Sequence, residues 1–300
     1  MRKMSAESLV AALAAEGMVF TSSTMIHKGL YSPSDADWNY KDIPHLNELH
    51  NQVEGVAAAI GEDIIATIFL QRLGPLRIPL TVVNYAVDRT SQSYYTTIGP
   101  FCLVIKTQWH PLDAEQTQVA TTYNLGTVRS LKFLHGFAHR LLRKNYQTLM
   151  SADVPMRERR GELRRAGFSF KADAAGYSFI ETLRIQENNL IIPADIEWVS
   201  QLDDARNIPE GRTIMGSNPT SGAIIERQGS QFHFYERTCP HEGALLDEST
   251  IQDNCLRCPW HGRLLKPIIS LDINDSPCSQ TSGRFSVSIA DDSIVLIESD

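Results

Sequence analysis

"TQVATTYNLG" (residues 117–126) is followed after three residues by "SLKFLHGFAHRLLRKNYQTLMS" (residues 130–151), and the spacing of apolar residues changes between the two. The first is rich in Thr, Val and Tyr, as a strand is. In the second, Leu131, Leu134, Ala138, Leu141, Leu142 and Tyr146 fall on one stripe of a helix. Upstream, "DIIATIFLQRL" (63–73), "LRIPLTVVNYAVD" (76–88) and "SYYTTIGPFCLVIKTQWH" (93–110) have strand composition and are punctuated by Gly, Pro and Asp. These features predict an antiparallel meander followed by a long amphipathic helix, an α+β arrangement.

Working outward, the 300 residues allow two domains, and 42% hydrophobic with 21% charged residues is the balance of a globular chain with real cores. A net charge of −7 argues against nucleic-acid or anionic-membrane partners, which reward basic surfaces. No stretch approaches the ~20 apolar residues of a membrane span. The opening "MRKMSAESLVAALAAEGMVF" reads as an amphipathic helix capped by Ser5 rather than an export signal, because Glu7 and Glu16 bracket its short apolar run. Cys102, Cys255 and Cys278 form no even framework, which fits a reducing cytoplasm.

Signals weaken over 171–195, read as a connection. Short strands separated by Gly, Asn and Asp turns return over 196–300, as in a small all-β module. Within it "CPHEGALLDESTIQDNCLRCPWHG" (239–262) places Cys239 with His241 and Cys258 with His261. Two loops that each offer a thiolate and an imidazole suit a [2Fe–2S] cluster whose two irons divide the Cys and His ligands. Pro240 and Pro259 stiffen the loops, and Gly243 and Gly262 let backbone N–H groups approach. The alternative is zinc, but a zinc finger pairs Cys with Cys and His with His.

A second constellation lies in "NYKDIPHLNELHNQ" (39–52), where Asp42, His45 and His50 have the spacing D-x2-H-x4-H. An O2-activating iron(II) takes two imidazoles and a carboxylate on one face. Five residues overshoot one helical turn, so both histidines reach one metal only if the helix is irregular there. The bland reading is a pair of hydrogen-bonded or solvated histidines near a helix start. His135 and His139 have i, i+4 spacing but lack the zinc-protease Glu, since Gly136 follows the first, and read as the helix's polar fringe. The run "RERRGELRRAG" (157–167 from Arg157, preceded by Met156) reads as a solvated helix face.

The segment 239–262 resembles the Rieske family. Respiratory members carry an extra cysteine in each loop, at places held here by Gly243 and Trp260, so the module is similar to Rieske ferredoxins and oxygenases. The helix, sheet and closing helix of residues 1–170 resemble the helix-grip, or START-like (SRPBCC-like), fold. D-x2-H-x4-H resembles the iron motif of Rieske non-haem iron oxygenases, with the domain order reversed. The resemblance implies that His45 and His50 bind mononuclear Fe(II), and that Asp42 bridges towards a cluster histidine, His261, of a neighbouring subunit. It also implies a downstream carboxylate ligand, Asp153, with Glu158 and Glu162 as weaker candidates. It further implies O2 as co-substrate, a small apolar or aromatic substrate, an external ferredoxin or reductase, and a trimer. No G-x-G-x-x-G follows a strand, so no flavin or nicotinamide domain is expected in this chain. The contrasting reading is a Rieske electron-transfer module fused to a START-like ligand-binding domain without mononuclear iron. Phe69, Leu73, Tyr85 and Tyr95 are candidates for the pocket wall, with strand parity left open.

Overall fold

The structure is a computed structural model and describes residues 5–73, 75–175, 179–180, 189–193, 198–216, 218–275, 277–290 and 293–298. The chain divides into two compact units, Met1–Glu162 with Lys171–Gln186, and Leu163–Phe170 with Glu187–Asp300. Much of the connection expected over 171–195 lies outside the described residues.

In the first unit Ser5 caps α1 (Ala6–Ala15), its side chain accepting from Ser8 N. Then come β1 (Met18–Gly29), α2 (Pro33–Lys41), α3 (His45–Leu49), β2 (Val53–Ile60), β3 (Ile64–Leu73), β4 (Leu76–Asp88), β5 (Ser91–Ile98), β6 (Phe101–Pro111) and β7 (Thr117–Val128). Among the described residues the seven strands form one antiparallel sheet in the order β1-β7-β6-β5-β4-β3-β2. Register shifts between Glu54 and Ala57 and between Ala86 and Asp88 add the local twist that curves a sheet.

The long helix, α4 (His135–Arg165), starts later than its apolar stripe, because Arg129–Leu134 forms a tighter 3-10 turn. It also continues past Ser151 and through Pro155. Ala138, Leu142, Tyr146 and Met150 pack on Met25, Leu103, Tyr123 and Leu125 of the sheet, while Leu141 stays 51% exposed. A curved antiparallel sheet closed by this helix is the helix-grip arrangement.

The basic run is not a solvated face. Arg157 and Arg160 are fully buried, because α2 offers partners for both. Arg160 Nε donates to Asp35 Oδ1 at 3.0 Å and its guanidinium lies over Trp38, while Arg157 donates through Nε and Nη2 to Asn39 Oδ1. Gly161 permits the close approach: a Cβ there would stand 2.2 Å from the Leu30 carbonyl oxygen.

The second unit comprises β8 (Ser169–Phe170), β9 (Leu190–Ile191), β10 (Trp198–Leu202), β11 (Gly211–Met215), β12 (Ala223–Gln228), β13 (Gln231–Glu236), β14 (Thr250–Gln252), β15 (Cys255–Arg257), β16 (Leu264–Leu265), β17 (Ile269–Asp272), β18 (Cys278–Ser282), β19 (Phe285–Ala290) and β20 (Ser293–Glu298). Among the described residues, sheets β10-β20-β19-β18 and β11-β12-β13-β17 share one apolar core that includes Phe232, Phe234, Val287 and Leu296. A small sheet, β14-β15-β16, carries the second cysteine loop. Asp253 and Asn254, both at positive φ, make the two-residue turn that joins β14 to β15. No helix among the described residues is long and apolar enough to cross a membrane.

Candidate metal centres

The segment before β2 is set by its caps. Ser32 and Asp35 form a reciprocal capping box at the start of α2, and Asp42 is its C-cap. After Pro44 the chain makes the five-residue helix α3 and leaves it at His50, whose backbone is extended (φ −99°, ψ 92°). In a continuous helix His45 and His50 would diverge by about 140° around the axis. The break brings their rings to 5.3 Å between centroids.

Asp153 on α4 meets both histidines. Its Oδ1 lies 3.5 Å from His45 Nε2 and 3.0 Å from His50 Nε2. All three residues are buried, and these three facing atoms make no hydrogen bond. Metal bonds of about 2.1 Å at right angles need donor atoms about 3.0 Å apart, so the set can hold one first-row cation. Two imidazoles and one carboxylate are also the donor chemistry of a facial iron(II) site. Burial opposes charge on His45, but the carboxylates of Asp153 and Asp42 outweigh it and push its pKa up to about 9. Burial likewise works to raise Asp153, yet the two imidazoles and Arg157 hold it well below the usual carboxylate range. The two shifts are one attraction between His45 and Asp153 seen from its two ends.

Asp42 Oδ2 stands 3.4 Å from His45 Nδ1, the ring nitrogen turned away from Asp153; that nitrogen makes no hydrogen bond here, and a carboxylate in this place can orient a metal-binding imidazole. Glu158 and Glu162 do not join the group: Glu158 approaches Leu30 N and Glu162 pairs with Arg159. His135 Nδ1 and His139 Nε2 both contact Thr21 Oγ1, and His135 is buried rather than a polar fringe; among the described residues neither joins a three-residue metal-ligand group.

A directed hydrogen-bond chain was not foreseen. Arginine only donates, so His27 Nε2 accepts from Arg157 Nη1 at 3.0 Å. The ring proton therefore sits on Nδ1 and is donated to Tyr146 Oη at 2.6 Å. The Tyr146 hydroxyl is thus left to donate elsewhere. Burial and then Arg157 push the His27 pKa down to about 4, which keeps this tautomer neutral. The sequence signal was the i, i+4 spacing of Asp153 and Arg157, which places both on one helix face.

Beside the three residues lies a cavity of about 210 Å³ lined by Phe69, Val82, Asn84, Tyr94, Tyr123 and Tyr146 among others. Of the expected wall residues Phe69 is present. Tyr85 and Tyr95 are displaced by Asn84 and Tyr94, because strand neighbours face opposite sides. The Leu73 side chain lies outside the described residues.

In the second unit, the two cysteine loops repeat one backbone pattern. Cys239 N donates to Ala244 O and Gly243 N to Cys239 O, as Cys258 N donates to Arg263 O and Gly262 N to Cys258 O, all at 2.8–2.9 Å. Gly243 and Gly262 both have positive φ, and a Cβ on Gly243 would stand 2.3 Å from Leu163 Cδ1. Cysteine at that position would therefore be strained. Cys239 and Cys258 are buried and are not joined in a disulfide. Interaction between the two buried thiols raises Cys239 and lowers Cys258, so one of the pair gives up its proton first. His241 Nδ1 and His261 Nδ1 face each other at 3.1 Å, half-buried. Two buried sulfurs on one side and two converging imidazole nitrogens on the other fit the division of ligands in a Rieske cluster.

Residues 196–286 match the family described as the Rieske [2Fe-2S] domain. Ferredoxin CarAc of Metapseudomonas resinovorans is 34% identical over 65 residues, 22% of this chain and 60% of that protein. Apoptosis-inducing factor 3 of Mus musculus is 29% identical over 73 residues, 24% of this chain and 12% of that protein. The matches thus span less than two thirds of either relative. Among solved structures, the Zhui aromatase/cyclase from Streptomyces sp. R1128 aligns with a TM-score of 0.40 at 16% identity, over 48% of this chain and 95% of that one. By the family match, residues 196–286 form a Rieske domain, with the electron-transfer role that domain implies.

Proposed function

We propose that the chain is a Rieske-type mononuclear non-haem iron oxygenase that uses O2 to oxidise an apolar or aromatic small organic molecule. The observation that carries this reading is the convergence of His45 Nε2, His50 Nε2 and Asp153 Oδ1, buried and without hydrogen bonds, beside a largely apolar cavity. When bound, Fe(II) at His45, His50 and Asp153 would supply dioxygen activation, and a [2Fe–2S] cluster at Cys239, His241, Cys258 and His261 would supply its electrons.

The chain's own residues have separable tasks in this reading. Asp42 orients His45 through Nδ1. Phe69, Ile105 and Tyr123 exclude water around the reacting end of the substrate. Tyr146, held as a donor by His27, offers its hydroxyl proton to a substrate oxygen. An external ferredoxin or reductase delivers reducing equivalents, and the trimer expected of such oxygenases is part of the proposal.

Iron and acid-labile sulfide are measured in the full chain after anaerobic purification. Three irons and two sulfides per chain are expected; two irons with His45 and His50 intact would leave an electron-transfer module joined to a ligand-binding domain. Exchanging His45 for Ala should abolish turnover of any substrate found while sparing the visible spectrum of the cluster.

A further inference from the structure

A second cavity, about 350 Å³, lies nearer the N-terminal end of α4. Strand by strand it continues the first. On β4 Val82 lines the first cavity and Leu80 the second; β6 contributes Ile105 and then Leu103, and β7 Tyr123 and then Leu125. Residues two apart on a strand share a face about 6.8 Å apart, so these pairs are successive steps along one surface. The helix follows the same course: Tyr146 and Met150 line the first cavity, Ala138 and Leu142 the second.

Among the described residues the lining of the second cavity contains no charged side chain, and its polar groups are the carboxamides of Gln71 and Asn145. Apart from the atoms of His45, His50 and Asp153, three polar atoms along the path are buried without a hydrogen bond: Tyr40 Oη and Asn84 Oδ1 in the first cavity, and Thr96 Oγ1. Asn84 Oδ1 is in the first cavity, with its own Nδ2 committed to Gln92 Oε1 and the Tyr40 carbonyl. Thr96 Oγ1 is on the strand face between Tyr94 of the first cavity and Ile98 of the second. A buried acceptor left unmade is costly, and a ligand hydroxyl or N–H would satisfy it.

We propose that the two cavities are consecutive chambers of one channel, and that the substrate is an elongated, uncharged, mostly apolar molecule carrying a hydroxyl or N–H. The span of α4 from Ala138 to Asp153 sets its length at about 22 Å, at 1.5 Å rise per residue. A single-ring substrate would occupy only the inner chamber and leave the outer apolar wall without contacts. The inference rests on the proposed function only in placing the reacting end beside His45, His50 and Asp153.

The test uses the full chain and linear alcohols from 1-octanol to 1-tetradecanol, with dissociation constants measured by calorimetry. Affinity should rise about fourfold for each added methylene through the series. Levelling off at 1-octanol or 1-decanol would overturn the channel. Ala138→Phe and Leu80→Phe each fill the outer chamber from a different wall, and each should remove the gain between 1-octanol and 1-tetradecanol. A gain that survives in both folded variants also overturns it. Iron content is measured on the same samples: two irons with a full length-dependence would refute the oxygenase and keep the channel, and three irons with none would do the reverse.

Discussion

Cys239, His241, Cys258 and His261 come from two loops within 24 residues, whereas Asp153 stands more than a hundred residues from His45 and His50. The loops hold themselves: each closes on its own cysteine through the same two backbone hydrogen bonds, with a glycine at positive φ completing the turn. The other site has no such local closure. His45 and His50 are placed by a broken helix, and Asp153 is delivered by α4, which Arg157 and Arg160 tie to Asn39 and Asp35 of α2. A site made by turns is thus legible as a motif and breaks locally. A site made by packing depends on residues that touch no metal.

Ligand removal gives the largest contrast. On the proposed function, Cys258→Ala should cost both cluster irons and the cluster's visible absorbance while leaving the mononuclear iron, because His45, His50 and Asp153 all belong to the first unit. Asp153→Ala should do the reverse: one iron lost, turnover gone and the cluster spectrum unchanged. Iron analysis with absorbance separates the two, and loss of all three irons from either variant would refute the independence of the sites.

The next effect tests the packing side alone. Arg160 and Asp35 are both fully buried, so Arg160→Met leaves a buried carboxylate without this partner and should destabilise the first unit by about 3–5 kcal/mol. Denaturant unfolding followed by tryptophan fluorescence measures this, and the cluster absorbance should persist to higher denaturant than the loss of the first unit. Simultaneous unfolding of both would show that the units do not behave independently.

The same division explains what the sequence disclosed. The period change near residue 130 and the strand composition before it gave the sheet and its helix, and the spacing of Cys239, His241, Cys258 and His261 gave the cluster loops. His45 and His50 were legible only as a pair whose five-residue offset needed an irregular helix, and the extended backbone at His50 supplies it. The proposed third ligand, Asp153, came from resemblance, since no local pattern links it to His45. Arg157 and Arg160 were misread because a run of charges looks solvated until its partners on another helix are known. Strand parity was lost for Tyr85 and Tyr95 for a similar reason: a shift of one residue exchanges faces, and only pairing fixes it.

Asp42 allows a finer cut. Asp42→Asn keeps the shape beside His45 Nδ1 but removes the charge, and should weaken metal binding by about 10–100-fold. Competition against a chelator measures this, with the cluster as an internal control. An unchanged affinity would mean that the carboxylate does not orient the imidazole.

The smallest expected effect reaches furthest from His45, His50 and Asp153. His27 is neutral down to about pH 4, against an ordinary value of 6.5, because burial and the Arg157 guanidinium disfavour its charge, while Asp153 opposes them. Unfolding frees the ring to take a proton between those two values. Its contribution to stability is therefore complete above pH 6.5 and is lost as pH falls towards 4. For a half-buried ring the change amounts to about 1 kcal/mol. His27→Gln can accept from Arg157 with its oxygen and donate to Tyr146 with its nitrogen, so it preserves the direction of the chain without a titrating group. It should flatten that part of the pH dependence of unfolding and retain turnover. His27→Leu should flatten it equally but lower turnover, because Tyr146 then loses the donor that directs its hydroxyl. Equal turnover in the two variants would reduce the chain to structural support and leave Tyr146 without a directed proton.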